Sequence, residues 1–562
     1  MFLPELLAAV TRHTLLEVIS FLLRNAPHKP LTRGPLVAPG IPYPPQFRPG
    51  NPQRGQDWLK GDYTLPGGVV LAPGEDPFNL RPPSPIWVES IHSFDWLRHL
   101  LVAPEPDANA LAGRHIINWV LHTPLNNRLA WLPHTAARRF MNFSRALPYV
   151  MPVLTPVERS RLLYSMGVHA RFLKTTARFA PDGLPRLTAL TGLAYSAFAL
   201  SDGAGRLHDS MMLLKCEIKR QILDDGGHIG RAPDSLTLIL SDMLAIRDAL
   251  VARGMPVPAE ITRTIRLMGP LLSFFSYDDG RLAVFHGGTE GQNEDLAALR
   301  EHDIIPAATP FNYATTSGYQ RLSGGDSLLM IDTGQVPSSG FSRQSHIGPL
   351  AMEFSHAGQR MIVNCGPNVV SGADWLQASR TPPAHSTLSL LNSPDKSFVE
   401  NPKALAFLGS RILTPQVEVS ARRIEDSGGV WLETAHGFYT RIIGYSHHRR
   451  IYLTADGQDL RGEDMLLPQG KTQTDAEFVV RFHLHPQVNV SLSADGKSAL
   501  LRVRKQPGWR FLAGGKNLQE MKIVDSVYMG ARGIPARSQQ IVLTSHTRAD
   551  GAFINWGMKM VS

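Results

Sequence analysis

Residues 224–235 read DDGGHIGRAPDS, a segment opened by two aspartates and two glycines that sets His228 and Arg231 three positions apart. The glycines permit a tight turn that Asp224 or Asp225 is suited to cap, and Pro233 with Asp234 or Ser235 marks the start of the next helix. An arginine held on such a loop offers a planar fork that matches carboxylate, sulfate or phosphate. The competing use of both side chains is structural hydrogen bonding. Two other clusters carry chemistry-bearing side chains. His447, His448, Arg449 and Arg450 are consecutive, but on a strand alternate residues point to opposite faces, so only half can serve one site. His483 and His485 share a face, a geometry compatible with metal binding and equally with stacking.

The elements that must position these residues change character along the chain. Residues 1–84 read as an N-terminal helix followed by a Pro- and Gly-rich extended arm. Over 85–304, segments such as PVERSRLLYSMGVHARFLKTTARFA and DSLTLILSDMLAIRDALVARG carry apolar residues at i, i+3, i+4 and i+7, the pattern of amphipathic helices punctuated by Pro, Gly or Asp. Helical hairpins in series suggest a curved or closed α/α array. Over 305–562 the period becomes two, in short runs separated by Gly, Asn and Asp turns, as in FVVRFHLHPQVNVSLSADGKSALLRVR. That spacing predicts an antiparallel β-sandwich, and helices followed by strands predict a multidomain α+β protein.

Composition narrows the class. A chain of 562 residues with 43% apolar and 19% charged residues is a folded protein of two or three domains. The formal charge of +9 makes an anionic polymer a suitable partner, the plain alternative being a solvated basic surface. No basic run interleaved with aromatics or zinc finger points to nucleic acid. Cys216 and Cys365 are too few for a disulfide framework and are expected as free thiols. The N-terminus is apolar but interrupted by Arg12, His13 and Glu17, without a basic leader and small-residue cleavage site, so it does not read as an export signal. No stretch is long and apolar enough for a membrane span, and the first helix is expected to pack on the body or lie at a membrane surface.

Taken in order, an α/α array, DGGHIGRAP between helices, HIGPLAMEFSHAGQRMIVNCG on early strands, AHSTLSLLN after them, and SHHRRIYLTADGQDLRGED with RFHLHP in the sandwich resemble the heparinase II/III family of polysaccharide lyases. The resemblance runs from about residue 50 to the C-terminus. It implies an (α/α) toroid joined to a sandwich, and β-elimination of a uronic-acid polysaccharide in the cleft between them. Such chemistry must neutralise the C6 carboxylate, remove the C5 proton and protonate the departing O4.

The same resemblance assigns candidate roles. His228 and Arg231 would bind the carboxylate or act in catalysis, with Tyr439 and His286 as proton-transfer groups. Gln344 takes the place of a family histidine as a substrate contact, and His346 and His385 take zinc-ligand positions, making Zn²⁺ the one cofactor implied. The alternatives are buried hydrogen-bonded histidines and a packed strand tyrosine. Two departures stand out. The family pattern D-G-x-x-x-E-x-S-P-x-Y places its tyrosine on Ser235, whose hydroxyl is too weak an acid to replace a phenol of pKa about 10. The later family aspartate falls near Asn364, a poor zinc ligand. Trp96, Trp119, Trp131 and Trp375 could platform sugar rings or pack in cores.

The expected activity is therefore lyase action on an anionic uronate glycan. The rivals are a catalytically impaired glycan-binding or envelope-associated protein that keeps the fold, and an envelope-assembly scaffold using its basic surface. The resemblance implies the periplasm or cell envelope, whereas the N-terminus leaves the cytoplasm open.

Overall fold

Several helices of the first half open on proline, where the missing N–H would be unpaired anyway and φ is already close to helical. Pro85, Pro133 and Pro156 begin the helices Pro85–Ser93, Pro133–Val150 and Pro156–Thr176, and Thr155 with Glu158 forms a reciprocal capping box on the last of these. A computed structural model describes residues 2–25, 37, 44–123, 127–200, 203–301, 311–338, 340–368, 372–391, 397–413, 416–469, 473–504, 506–531 and 534–561. Part of the Pro/Gly-rich arm, 26–36 and 38–43, lies outside them. The rest of the arm contains a helix, Pro52–Leu59, where an extended chain was expected, and its Trp58 and Tyr63 are buried in the helical core.

That core is centred on Pro133–Val150 packed against Leu184–Ala199, both buried on nearly every side, as helices enclosed by others must be. Close approach requires Gly192, because a methyl there would lie 2.4 Å from the Ala137 Cβ. Trp96, Trp119 and Trp131 belong to this core and are not available to a sugar, whereas Trp375 is exposed. Further helices, Gly203–Gln221, Ser235–Val251 and Ala259–Phe274, lead to the strands.

Among the described residues the strands form two antiparallel sheets. The nine-stranded sheet runs Tyr313–Ala314, Tyr319–Gly324, Ser327–Asp332, Met352–His356, Gln359–Val363, Glu477–Leu484, Ala536–His546 and Glu520–Tyr528, with Leu388–Leu390 also paired to Glu477–Leu484. The eight-stranded sheet runs Asn489–Leu492, Ser498–Arg502, Gly508–Gly514, Ala552–Val561, Asp459–Pro468, Tyr445–Thr454, Gly429–His436 and Val419–Asp426. Their facing sides enclose a second core that includes Leu432, Leu453, Phe482 and Trp556.

The first sheet joins the two halves. Along Ser327–Asp332 every residue is buried, and alternate residues serve different cores: Leu328 and Met330 pack with the helices, Leu329 and Ile331 with the sandwich. A strand covered on both faces loses the polar alternation of a half-exposed one.

Candidate functional site

The DDGGHIGRAPDS segment folds as a small hairpin in which Ile222 pairs with His228. Asp225 accepts from the Thr316 and Ser317 amides at 3.0 and 2.6 Å, tying the turn to the loop ahead of the strand Tyr319–Gly324. Asp234 precedes the helix Ser235–Val251 without capping it; its carboxylate accepts instead from the amide and hydroxyl of Thr289 at 2.8 and 3.0 Å.

His228 is buried, with Nδ1 accepting from the Gly230 amide at 3.1 Å and Nε2 lying 2.7 Å from Gln221 Oε1. An amide oxygen only accepts, so Nε2 carries the proton and both ring nitrogens are used. Burial lowers its pKa to about 4, leaving a neutral imidazole.

Arg231 sits at φ +62, and its buried side chain crosses from the helical half to the sandwich. Nε donates to the Ser317 carbonyl at 2.7 Å, Nη1 to that of Gln335 at 2.9 Å and Nη2 to that of Gly318 at 3.0 Å, while Nη2 also pairs with Asp332. The guanidinium carbon lies 4.7 Å from the Tyr319 ring centroid, and the Tyr319 hydroxyl donates to the Arg231 carbonyl at 2.7 Å. Gly334 makes room, since a methyl there would lie 2.3 Å from Nη2.

His286 Nε2 is 2.7 Å from Asp332 Oδ2 and 3.0 Å from Arg231 Nη1. A carboxylate against Nε2 requires a proton on that nitrogen, so the ring donates to Asp332. Burial, then Arg231, pushes the His286 pKa down. Burial alone would raise that of Asp332, but Arg231 and then His286 outweigh it and hold it at about 2. The three form a buried Arg–Asp–His cluster between the helical half and the sandwich: the cationic fork is taken, and the unprotonated His286 Nδ1 is buried without a hydrogen-bond partner among the described residues.

The remaining candidates lie apart in function. His385 Nδ1 faces the Thr381 carbonyl at 2.8 Å and carries the proton, so its Nε2 accepts from His346 Nδ1 at 3.2 Å. Burial lowers both pKa values, that of His385 to about 4. Asn364, at the third position of the implied zinc set, has its amide engaged with the Ser386 N–H and the Val284 carbonyl at 3.0 and 3.1 Å. Among the described residues no three His, Cys, Asp or Glu side chains converge for a metal, so the donor set does not fit Zn²⁺. Gln344 is exposed. Tyr439, expected on a strand, precedes the short helix Thr440–Ile443, and its buried hydroxyl donates to the Leu388 carbonyl at 2.7 Å inside the sandwich. His436 and His447, 3.0 Å apart, lead to Asp464, which also binds Arg449 and the Trp556 N–H. His447 and Arg449 face inward while Arg450 is exposed. His483 is buried beside Cys365 and Ser526, and His485 stacks edge-on against Tyr528, so the two do not meet on a metal. Cys216 and Cys365 are free thiols.

Asp332, Tyr319 and Gln221 were not singled out from sequence. Asp332 stands 101 residues after its arginine in an ordinary strand end, and no local spacing marks the pair. A second buried cluster was also missed. Glu353 accepts from the Val284 and Asn364 amides, both at 3.1 Å, and burial lifts its pKa to about 7 despite nearby Arg360.

The helical half contains a cavity of about 390 Å³ lined by Trp58, Trp96, His99, Arg138 and the Arg48–Asp95 pair. Trp58 stacks on Trp96 at 3.9 Å. The segment from Arg48 to Pro66 supplies one wall.

A family profile described as heparinase II/III-like, C-terminal, matches residues 306–557. FtsZ-localized protein C of Caulobacter vibrioides is 34% identical over 519 residues, covering 91% of this chain and 88% of that protein. Among solved structures, heparinase III superposes with a TM-score of 0.73 at 14% identity, covering 97% of this chain and 89% of that one. A mutant heparan sulfate lyase of Pedobacter heparinus gives 0.59 at 13% identity, covering 97% and 88%. These structural likenesses concern the fold.

Proposed function

The chain belongs to the heparinase II/III family, and from that premise we propose that it is a lyase-fold protein working by binding, at the inner face of the bacterial membrane, in FtsZ-based cell division. The observation that carries the loss of elimination chemistry is the closed state of its acid–base candidates. Arg231 and Asp332 engage each other and His286 Nε2; the one unengaged base nitrogen of the cluster, His286 Nδ1, is buried; and the Tyr439 phenol is spent inside the sandwich. A general base must reach the substrate proton directly or through one water. The tie to FtsZ is carried over from the name of a relative sharing 34% identity over most of both chains.

The N-terminal helix Phe2–Asn25 supports the membrane side of this reading. Ala9, Leu16, Ser20 and Leu23 are buried against the body, and Arg12 pairs with Asp182 at 2.6 Å. Leu7, Val10, Leu15, Val18, Phe21 and Leu22 lie on the opposite face, exposed by 36% at Val10 to 60% at Phe21. Among the described residues no helix is long and apolar enough to cross a membrane. An outward apolar ridge suits interfacial docking. From Val18 to Gln56 the sequence has five Lys or Arg and no Asp or Glu; Arg48 is taken by Asp95, and the remaining four suit an anionic lipid surface at about 1 kcal/mol per cation near it. In this reading the protein sits on the FtsZ side of the membrane and not in the periplasm that the resemblance implied.

Three measurements test the proposal. The protein should co-sediment with phosphatidylglycerol vesicles, and Val18→Glu with Phe21→Glu should abolish this without changing the melting temperature. A fluorescent fusion should follow FtsZ in dividing cells. Uronate polymers should yield no ultraviolet-absorbing unsaturated product. Product formation from any of them would overturn the binding reading in favour of a polysaccharide lyase, and a fusion indifferent to FtsZ would remove the division role.

A further inference from the structure

The outer face of the eight-stranded sheet carries a trough of about 790 Å³, on the side away from the sandwich core. One cross-strand row crosses it, because the register sets Ile424 opposite Trp431, Trp431 opposite Tyr452, Tyr452 opposite Arg461, Arg461 opposite Gly557 and Gly557 opposite Leu512. Six strands at about 4.8 Å span about 24 Å, the length of about seven extended residues. The outer face of an antiparallel sandwich normally alternates to polar side chains. Here Ile424, Trp431 and Leu512 are exposed by 44%, 43% and 47%, in the same row, while their sequence neighbours Leu432 and Phe511 are buried. Trp431 packs against Tyr452 of the neighbouring strand, ring centroids 4.5 Å apart at 31°. Gly557 keeps the floor low between Leu512 and Arg461.

Cations flank this row. Arg450, Arg461 and Lys559 line the trough, and Arg510 is paired in register with Lys559. The acids beside them are Asp459, which binds Arg461 at 2.6 Å, and Glu463 and Glu433, each 3.5 Å from Arg450. Four cations against three acids leave the surface net positive, and Arg461 and Arg450 remain at least half exposed, at 65% and 50%.

We propose that this trough is a docking site for an extended acidic segment of a partner protein, its apolar side chains seated on Trp431, Ile424 and Leu512 and its carboxylates on the flanking arginines and lysine. The guanidinium forks suit carboxylates. Two of the three apolar anchors are aliphatic; they suit Leu or Phe side chains and offer nothing to sugar hydroxyls, which favours a polypeptide over a glycan. Exposed aromatic and arginine side chains together are the usual anchors of protein recognition. The site shares no residue with the domain junction or the N-terminal helix, so it stands independently of the membrane and division roles.

The test uses the full chain and fluorescein-labelled peptides of about eight residues in which Asp or Glu alternates with Leu, Phe or Trp, read by anisotropy. The acidic peptides should bind, weaken as salt rises, and lose at least about tenfold in affinity in Trp431→Ala and in Arg461→Glu. Counterparts with Lys in place of the acids should not bind. Because Trp431 rests on Tyr452, Arg461→Glu, whose side chain is mostly in solvent, keeps the test valid should Trp431→Ala disturb the fold. Failure of every acidic peptide to bind, or binding unaltered by both substitutions, would overturn the proposal. So would uronate oligosaccharides that bind in their place and are lost in the same variants, which would assign the trough to a glycan.

Discussion

Arg231→Met separates a structural strut from a substrate-binding cation. The substitution keeps an unbranched stem and removes the guanidinium, leaving the Asp332 carboxylate buried with only His286 and the Gly334 amide beside it. It also removes the guanidinium donors from the carbonyls of Ser317 and Gln335, while that of Gly318 keeps the Thr333 amide at 2.9 Å. Breaking one side of a buried ion pair costs about 3–5 kcal/mol, because the surviving charge stays desolvated. At 1.4 kcal/mol per decade, the middle of that range shifts the unfolding equilibrium by about a thousandfold. Asp332→Asn should cost a similar amount from the other side. The double variant should cost about 1–3 kcal/mol less than the sum of the singles, since the second change removes a charge already stranded by the first. Equilibrium unfolding in urea at neutral pH, followed by tryptophan fluorescence, gives all three values. A loss below about 1 kcal/mol for Arg231→Met, or strict additivity, would refute the strut and return Arg231 to the list of groups free to bind an anion.

Three other outcomes follow from the same geometry. His228 has a folded pKa of about 4 against about 6.5 unfolded; the unfolded chain binds the proton first, so stability is complete above pH 6.5 and falls as pH drops from 6.5 to 4, by roughly 3 kcal/mol for this group, and denaturation at pH 7.5 and 4.5 should show that share missing in His228→Gln. Chelator should leave the melting temperature unchanged and purified protein should carry far less than one equivalent of zinc, since His346 and His385 bond each other; a chelator-induced drop in melting temperature would contradict that arrangement. Tyr439→Phe should cost about 1 kcal/mol of stability through the lost bond to Leu388, and leave peptide and vesicle binding unaltered.

Much of the architecture was legible because it rests on local periodicity. Apolar residues at helical spacing before about residue 300 and at strand spacing after it report which face of each element is covered, and the two halves follow. The alternation rule also sorted His447 and Arg449 from Arg450 correctly. The same rule contained a signal that went unread: between buried Val430 and Leu432, Trp431 occupies an outward position on its strand. An aromatic ring where alternation expects a polar residue marks a surface worth inspecting. The helix in the arm was hidden because its short, polar sequence has little apolar periodicity, and its formation depends on the Asn51 cap and on Trp58 reaching a distant core.

What the sequence determined by itself is a helical half followed by a strand half, and the presence of a histidine and an arginine on a glycine turn. Only the tertiary structure decided what those two side chains do. The turn delivers Arg231 as expected, but to Asp332, a residue 101 positions away, and His228 to Gln221 on the preceding helix. Whether a polar side chain faces a substrate or a partner depends on which groups fold against it, and that is set by long-range packing that local spacing does not encode. In a buried place an unpaired charge is too costly to persist, so at this junction the fold pairs Arg231 with Asp332 and keeps the neighbouring His286 neutral, its Nδ1 buried without a hydrogen-bond partner among the described residues.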